Sequence, residues 1–116
     1  MIEVARVAEK VAKQNGFREK IFSQREIDHC GSGKDAAQRF AVRFAAKEAF
    51  LKATGEGMKL SFDLHEIEIV NDANGKPGIT LHGIFKEKAE ENGWNRMHVS
   101  LSHLQAVACA VVIIER

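Results

Sequence analysis

The sequence predicts a single domain of the α+β class, and three observations lead to this prediction. Apolar residues recur at helical spacing in the first half of the chain, whereas they alternate with polar residues in the second half. The length of 116 residues fits one domain, since domains most often contain ~100–150 residues. Helical segments that precede strands are typical of helices packed on a mostly antiparallel sheet.

The first predicted helix extends from Glu3 to Gln14 and is followed by Gly16. Its apolar stripe consists of Val4, Val7, Ala8 and Val11. Its other side carries a basic ridge of Arg6, Lys10 and Lys13. Spacing alone leaves two interpretations of the ridge, a solvated face and a docking surface.

Two further helices are predicted before the strands begin. Ser23 and Glu26 have the spacing of a capping box, which predicts a short helix that ends by Gly31. Residues 35–53 contain neither glycine nor proline and are rich in alanine, which predicts a long helix. The intervening Gly-Ser-Gly-Lys segment lacks the remaining residues of a phosphate-binding loop, so we interpret it as a flexible connection.

The second half of the chain predicts four strands and one helix. Alternation over 65–69, turn residues over 71–77 and a second short run at 79–81 predict a hairpin. A short charged helix is predicted over 84–92, and strands are predicted over 97–103 and 106–114. The last strand is almost wholly apolar, so we expect it at the centre of a sheet covered on both faces. Cys109 lies within it and is interpreted as an inert core thiol.

Composition excludes several classes of protein. Hydrophobic residues make up 45% of the chain, which is enough to close a core and excludes disorder. A net charge of +1 disfavours a nucleic-acid-binding module. The two cysteines fit reduced thiols, and the first residues resemble neither a signal peptide nor a membrane span. We therefore expect a soluble, cytoplasmic protein with no membrane or nucleic-acid partner.

The long helix carries the charged residues best suited to chemistry. Glu48 and Lys52 are four residues apart and share a face with Arg43 nearby. A surface ion pair is one explanation of this spacing. The other is a site in which Glu48 holds Mg²⁺ while Lys52 and Arg43 neutralise phosphate oxygens.

His103 ends a predicted strand, where it can reach beyond the sheet and donate to an anion, or it can be an ordinary histidine. A serine nucleophile at Ser100 or Ser102 is disfavoured, because the strand lacks the Gly-x-Ser-x-Gly turn. The turn at 71–75 lacks the ligand pattern of a calcium loop.

Four motifs in order resemble holo-[acyl-carrier-protein] synthase, the short bacterial type of 4'-phosphopantetheinyl transferase. They are Arg43-Phe-Ala-Ala-Lys-Glu-Ala-Phe50 with Lys52, Gly55-x-Gly57, Asn71-Asp-x-Asn-Gly-Lys-Pro77 and His98-Val-Ser-Leu-Ser-His103. The resemblance covers nearly the whole chain and implies the transferase fold in one domain, 1–116. It also implies a homotrimer whose active sites lie between subunits.

The resemblance further implies Mg²⁺-dependent transfer of the phosphopantetheine arm of coenzyme A to a serine of apo acyl carrier protein, in fatty acid biosynthesis. Adenosine 3',5'-bisphosphate is the implied second product. By position, Glu48 matches the metal ligand, while Lys52 and His103 match phosphate contacts. All three are the implied catalytic residues. Arg43 matches a further basic contact, Lys76 and Pro77 a turn near the adenine, and Arg6 a carrier-protein contact.

The sequence departs from the family pattern at its N-terminus. Family members begin with a strand that ends in Gly-x-Asp, and that Asp is a second metal ligand. Met1 falls immediately after the Asp position, so we expect both the strand and this ligand to be absent and Mg²⁺ to bind weakly. The alternative to the transferase is a non-catalytic module that binds coenzyme A or the carrier protein.

Overall fold

The computed structural model describes residues 1–12, 16–55, 63–104 and 106–115. The helices are α1 (Val4–Ala12), α2 (Phe17–Ile21), α3 (Gln24–Cys30), α4 (Ala36–Thr54) and α5 (Gly83–Asn92). The strands are β1 (Ile2–Glu3), β2 (Ile67–Asn71), β3 (Pro77–Leu81), β4 (Arg96–His103) and β5 (Val107–Glu115). A 3-10 turn at Leu64–Glu66 leads into β2.

The strands form two separate antiparallel units. One is a three-stranded sheet in the order β1-β5-β4, and the other is the hairpin of β2 and β3. Helix α4 lies across β5 and also contacts α1, so it is the element around which both halves of the chain pack. The predicted α+β class and mostly antiparallel pairing are confirmed.

A short strand that was not predicted lies after the position of the family's Gly-x-Asp segment. Ile2 and Glu3 form a short strand whose partners in β5 are Ala108 and Val107. The backbone N–H of Val4 also donates to the carbonyl of Ala106 at 3.0 Å. The N-terminus is therefore held at the edge of the sheet before α1 begins.

Strand β5 is the central strand of its sheet, as expected, but two other expectations about it are wrong. In this chain its outer face is uncovered, with Val111 56% and Ile113 55% exposed. Cys109 lies on that same face opposite Ser102 and is exposed, so it is not a core thiol. The apolar run of β5 indicated burial on both sides, but α4 covers only the side that carries Ala108.

The helices largely follow the sequence. The capping box is formed, since the Ser23 hydroxyl accepts from the N–H of Glu26 and the Glu26 carboxylate accepts from the N–H of Ser23. The described part of α1 ends at Ala12, and the last residues of its predicted range lie outside the described residues. Helix α2 was not predicted, because its five residues are too few to show a periodicity.

The core has two clusters, and α4 contributes to both. Phe22 and Phe40 pack edge to face in the first cluster, with ring centroids 4.8 Å apart. Phe50 packs in the same way against Phe85 and Trp94 in the second cluster. Because one helix spans both clusters, its side chains have fixed directions along its whole length. No helix among the described residues is long and apolar enough to cross a membrane.

Candidate functional site

Glu48 lines a cavity of about 320 Å³ between α4, α1 and the N-terminal strand. Phe44, one turn earlier on α4, and Phe17 form part of its apolar wall. Arg6 and Lys10, which are spaced by four on α1, line the same cavity and so does Glu3. The structure thus brings together two carboxylates and two cations from three elements.

The predicted surface ion pair between Glu48 and Lys52 is not formed. Within the part of the chain that the structure describes, neither side chain takes part in a salt bridge. Glu48 is half-buried and Lys52 is exposed. The carboxylate of Glu48 is therefore available to a cation that enters the cavity.

Arg43 lies on a different face of α4 and does not line the Glu48 cavity. Its side chain is buried, and its Nη1 donates to the carbonyl of Arg39 at 3.1 Å. Its Nε is a buried donor that has no hydrogen-bond partner among the residues that the structure describes. Leaving such a donor unpaired costs about 1–3 kcal/mol.

His103 is exposed at the end of β4 and is paired in register with Ala108 of β5. Ala108 is also the partner of Ile2, so His103 and Ile2 flank the same residue of the central strand. Adjacent strands lie ~4.8 Å apart, which places the backbones of these two residues roughly 10 Å from each other. His103 therefore shares one end of the sheet with the strand that leads to the cavity.

Lys76 and Pro77 line a second cavity, of about 500 Å³, together with Arg25 and Thr80. Their turn is built by Asp72, whose Oδ1 accepts from the N–H groups of Asn74 at 2.8 Å and Lys76 at 2.9 Å. The residues that line this cavity and those that line the Glu48 cavity have no member in common. Within one chain the two halves of the predicted site are separate.

The sequence analysis missed a buried ion pair beside the site. The Lys47 ammonium donates to Oε1 of Glu26 at 2.8 Å, and both side chains are 0% exposed. It also donates to the carbonyls of Leu64, at 3.0 Å, and Ile67. Burial lowers the pKa of Lys47, and the adjacent Glu26 carboxylate opposes this shift. The available signal was the capping-box Glu26, because a helix-capping carboxylate is held in place and can face inward.

The donor set at the Glu48 cavity fits Mg²⁺. This ion takes oxygen ligands and is usually held by one or two carboxylates together with water and substrate phosphates. Glu3 and Glu48 are the two carboxylates that line the cavity. Among the described residues there is no group of three or more His, Cys, Asp or Glu side chains suited to a metal, so phosphate and water oxygens would complete the coordination.

An antiparallel sheet crossed by one long helix, with a carboxylate and two cations lining one cavity, defines a small α+β protein with a charged site at the N-terminal end of its sheet. Residues 2–112 match the model of the 4'-phosphopantetheinyl transferase superfamily, and the chain belongs to this family of transferases. The resemblance found in the sequence is confirmed, as is its assignment to an enzyme family.

Relatives of known sequence agree with this assignment. A holo-[acyl-carrier-protein] synthase of Geobacter sulfurreducens is 44% identical over 84% of this chain and 78% of its own length. One of Geotalea daltonii is 38% identical over 100% of this chain and 94% of its own.

Solved structures show the same fold. The holo-[acyl-carrier-protein] synthase of Neisseria meningitidis aligns with a TM-score of 0.86 at 29% identity, over 99% of this chain and 93% of that one. The Helicobacter pylori synthase, solved in complex with coenzyme A, aligns with a TM-score of 0.84 at 31% identity, over 98% and 95%.

Proposed function

We propose that this chain transfers the 4'-phosphopantetheine arm of coenzyme A to a serine of apo acyl carrier protein, with Mg²⁺, and releases adenosine 3',5'-bisphosphate. The observation that carries the proposal is the cavity in which Glu48 has no ion pair with any described residue and lies with the cations Arg6 and Lys10. The coenzyme A complex of the Helicobacter pylori relative supports the substrate. The reaction would serve fatty acid biosynthesis in the cytoplasm.

Glu48 would hold Mg²⁺, and Glu3 is the second carboxylate within the same cavity. When bound, Mg²⁺ offsets negative charge on the pyrophosphate of the substrate. Lys52 and His103 would donate to phosphate oxygens. The family resemblance implies a further basic contact from Arg43, although its side chain is buried in this chain. Lys76 and Pro77 would contact the adenine.

Arg6 would dock the carrier protein, which the family resemblance implies to be acidic. Its side chain is exposed, and Lys10 adds a second cation one turn along α1. A positive surface next to the cavity speeds association with an acidic partner and places the attacking serine near the phosphate.

The proposed homotrimer is supported by two features of the single chain. The outer face of β5 exposes Val111 and Ile113. In addition, the cavity at Lys76 is separate from the cavity at Glu48. A neighbouring copy would cover the apolar face and bring its own turn to the Glu48 cavity. Light scattering tests this: the wild-type chain should have three times the monomer mass, and Val111→Lys should lower it.

The direct test incubates the chain with coenzyme A, Mg²⁺ and apo acyl carrier protein and measures the mass of the carrier. We expect the mass to increase by one phosphopantetheine arm. The same assay on a chain extended by the family's Gly-x-Asp strand measures what a second ligand adds. If even the extended chain leaves the carrier unmodified, the proposed transfer is wrong.

The small number of carboxylates at the cavity favours a second candidate, a module that binds coenzyme A or the carrier protein without turnover. Calorimetry separates the two functions. Binding of coenzyme A at saturating Mg²⁺ without product formation would favour the module.

A further inference from the structure

Lys47 and Glu48 are consecutive residues with opposite surroundings. Successive residues of an α-helix are rotated by about 100°, so the two side chains leave α4 in different directions. Lys47 points to α3 and β2 and is buried, whereas Glu48 points to α1 and lines the cavity. Whatever fixes the direction of Lys47 also fixes the direction of Glu48.

Lys47 is held by an anchor, by which we mean its buried ion pair with Glu26. In it the ammonium uses every donor that the side chain has. An ammonium has three N–H groups, and these meet the carboxylate of Glu26 and the carbonyls of Leu64 and Ile67. The acceptors belong to α3, the 3-10 turn and β2, so one side chain ties α4 to three other elements.

Glu26 is equally constrained. Its Oε1 accepts from the backbone N–H of Ser23 at 2.9 Å, and its Oε2 accepts from the backbone N–H of Ile69 at 3.1 Å. Both bonds go to main-chain atoms, so the carboxylate cannot follow Lys47 if α4 rotates. A buried, fully satisfied network of this kind defines one arrangement of the helix.

We infer that Glu26 and Lys47 are positioning residues for Glu48: their buried ion pair sets the rotation of α4 and thereby holds the Glu48 carboxylate in the cavity. This inference rests on the proposed function for its catalytic consequence, but the direction of residue 48 can be measured without any reaction. Neither positioning residue lines the cavity itself.

The test uses a thiol at position 48 as a reporter. Glu48→Cys is made together with Cys109→Ser, which removes the exposed native thiol. Cys30 contributes little, because it is buried and burial raises its pKa to about 11. The rate of alkylation by N-ethylmaleimide then reports how far position 48 is shielded.

The anchor is removed by Glu26→Gln with Lys47→Met, a pair that leaves no uncompensated charge. We expect the alkylation rate at position 48 to rise at least fivefold while cooperative unfolding is retained. Glu68→Gln is the matched control, since Glu68 is a buried carboxylate of β2 whose hydrogen bonds in the described structure go to Ser23, Arg25 and His82 and not to Lys47. The alkylation rate in this control should stay within twofold. Equal rates with and without the anchor would overturn the inference.

If the double variant does not fold, Glu26→Asp replaces it, because the shorter side chain keeps the charge but displaces the anchor. A rise of at least twofold is then expected, and an unchanged rate again overturns the inference.

In the enzyme with Glu48 intact, loss of the anchor should lower kcat at least tenfold and raise the Mg²⁺ concentration that gives the half-maximal rate. The KM for coenzyme A should stay within threefold of the wild-type value. A merely structural pair would lower the melting temperature and leave these parameters unchanged, which would contradict the inference. Inactivity of both the wild-type and the extended chain would refute the proposed function alone, since the alkylation rates would still decide the positioning role.

Discussion

Two faces of α4 differ in what surrounds their charged side chains. On the face toward α3 and β2, Lys47 is buried and all three of its donors are used. On the face toward α1, Glu48 is half-buried and free of ion pairs within the described structure. The two residues are neighbours in sequence, yet one is satisfied by the protein and the other is left for a ligand.

This difference shows how a Lys-Glu dipeptide can serve both stability and chemistry. Breaking a buried ion pair is costly, whereas an unpaired carboxylate at a cavity costs little to remove. Substitutions on the first face should therefore affect folding and, through the direction of Glu48, activity, whereas substitutions on the second face should affect activity alone.

The largest effect is expected for Lys47→Met, which leaves the Glu26 carboxylate buried without its cation. Removal of one partner of a buried pair lowers the free energy of unfolding by about 3–5 kcal/mol. Urea denaturation followed by circular dichroism measures the change. A loss below about 1 kcal/mol would mean that the first face is not the stabilising one.

Glu48→Ala should have the opposite signature. We expect kcat/KM to fall at least ~100-fold, which corresponds to about 2.7 kcal/mol, because the proposed metal loses its principal ligand. The free energy of unfolding should change by less than about 0.5 kcal/mol, since Glu48 makes no ion pair in the described structure. Mass spectrometry of the carrier and urea denaturation are run on the same preparation. A variant that unfolds would show that Glu48 is structural.

Ser23→Ala should produce a smaller loss on the α3 side. The hydroxyl of Ser23 caps α3 by accepting from the N–H of Glu26 at 3.2 Å, and it donates to Glu68 at 2.5 Å. Loss of such a cap lowers the free energy of unfolding by about 1 kcal/mol. Ser23→Thr, which keeps the hydroxyl, is the control, and a similar loss in both variants would contradict the capping role.

The smallest effect is expected from Glu68, whose carboxyl makes the free energy of unfolding depend on pH in the acid range. Burial raises the pKa of Glu68, but hydrogen bonds from Ser23 and His82 and the charge of Arg25 outweigh it, so the pKa lies below its ordinary value of 4.5. A depressed pKa adds stability above pH 4.5 that is lost as the pH falls through the value in the folded protein. Because Arg25 is largely exposed, we expect a contribution below about 1 kcal/mol. The melting temperature should change less between pH 3 and 7 in Glu68→Gln than in the wild-type chain. An identical dependence of melting temperature on pH in the two chains would refute this.

The sequence predicts the long helix, the hairpin and the strands at their observed places because each has a strong local period or turn chemistry. It also places Glu48 on the long helix, which the structure has as α4. Burial could not be predicted in the same way, since an apolar strand such as β5 has the same composition whether one face is covered or both. The pairing of Lys47 with Glu26 joins residues 21 apart in sequence, and no local pattern shows such a contact.

The register of β5 has a consequence for insertions and deletions. Ala108 faces α4 between His103 and Ile2, while Val111 faces outward. Side chains alternate with a period of two, so a slip of one residue in β5 would exchange its two faces. The connection between β4 and β5 should therefore accept changes of residue type but not a change of its length by one, because gain or loss of a single residue there would turn the core side of β5 outward.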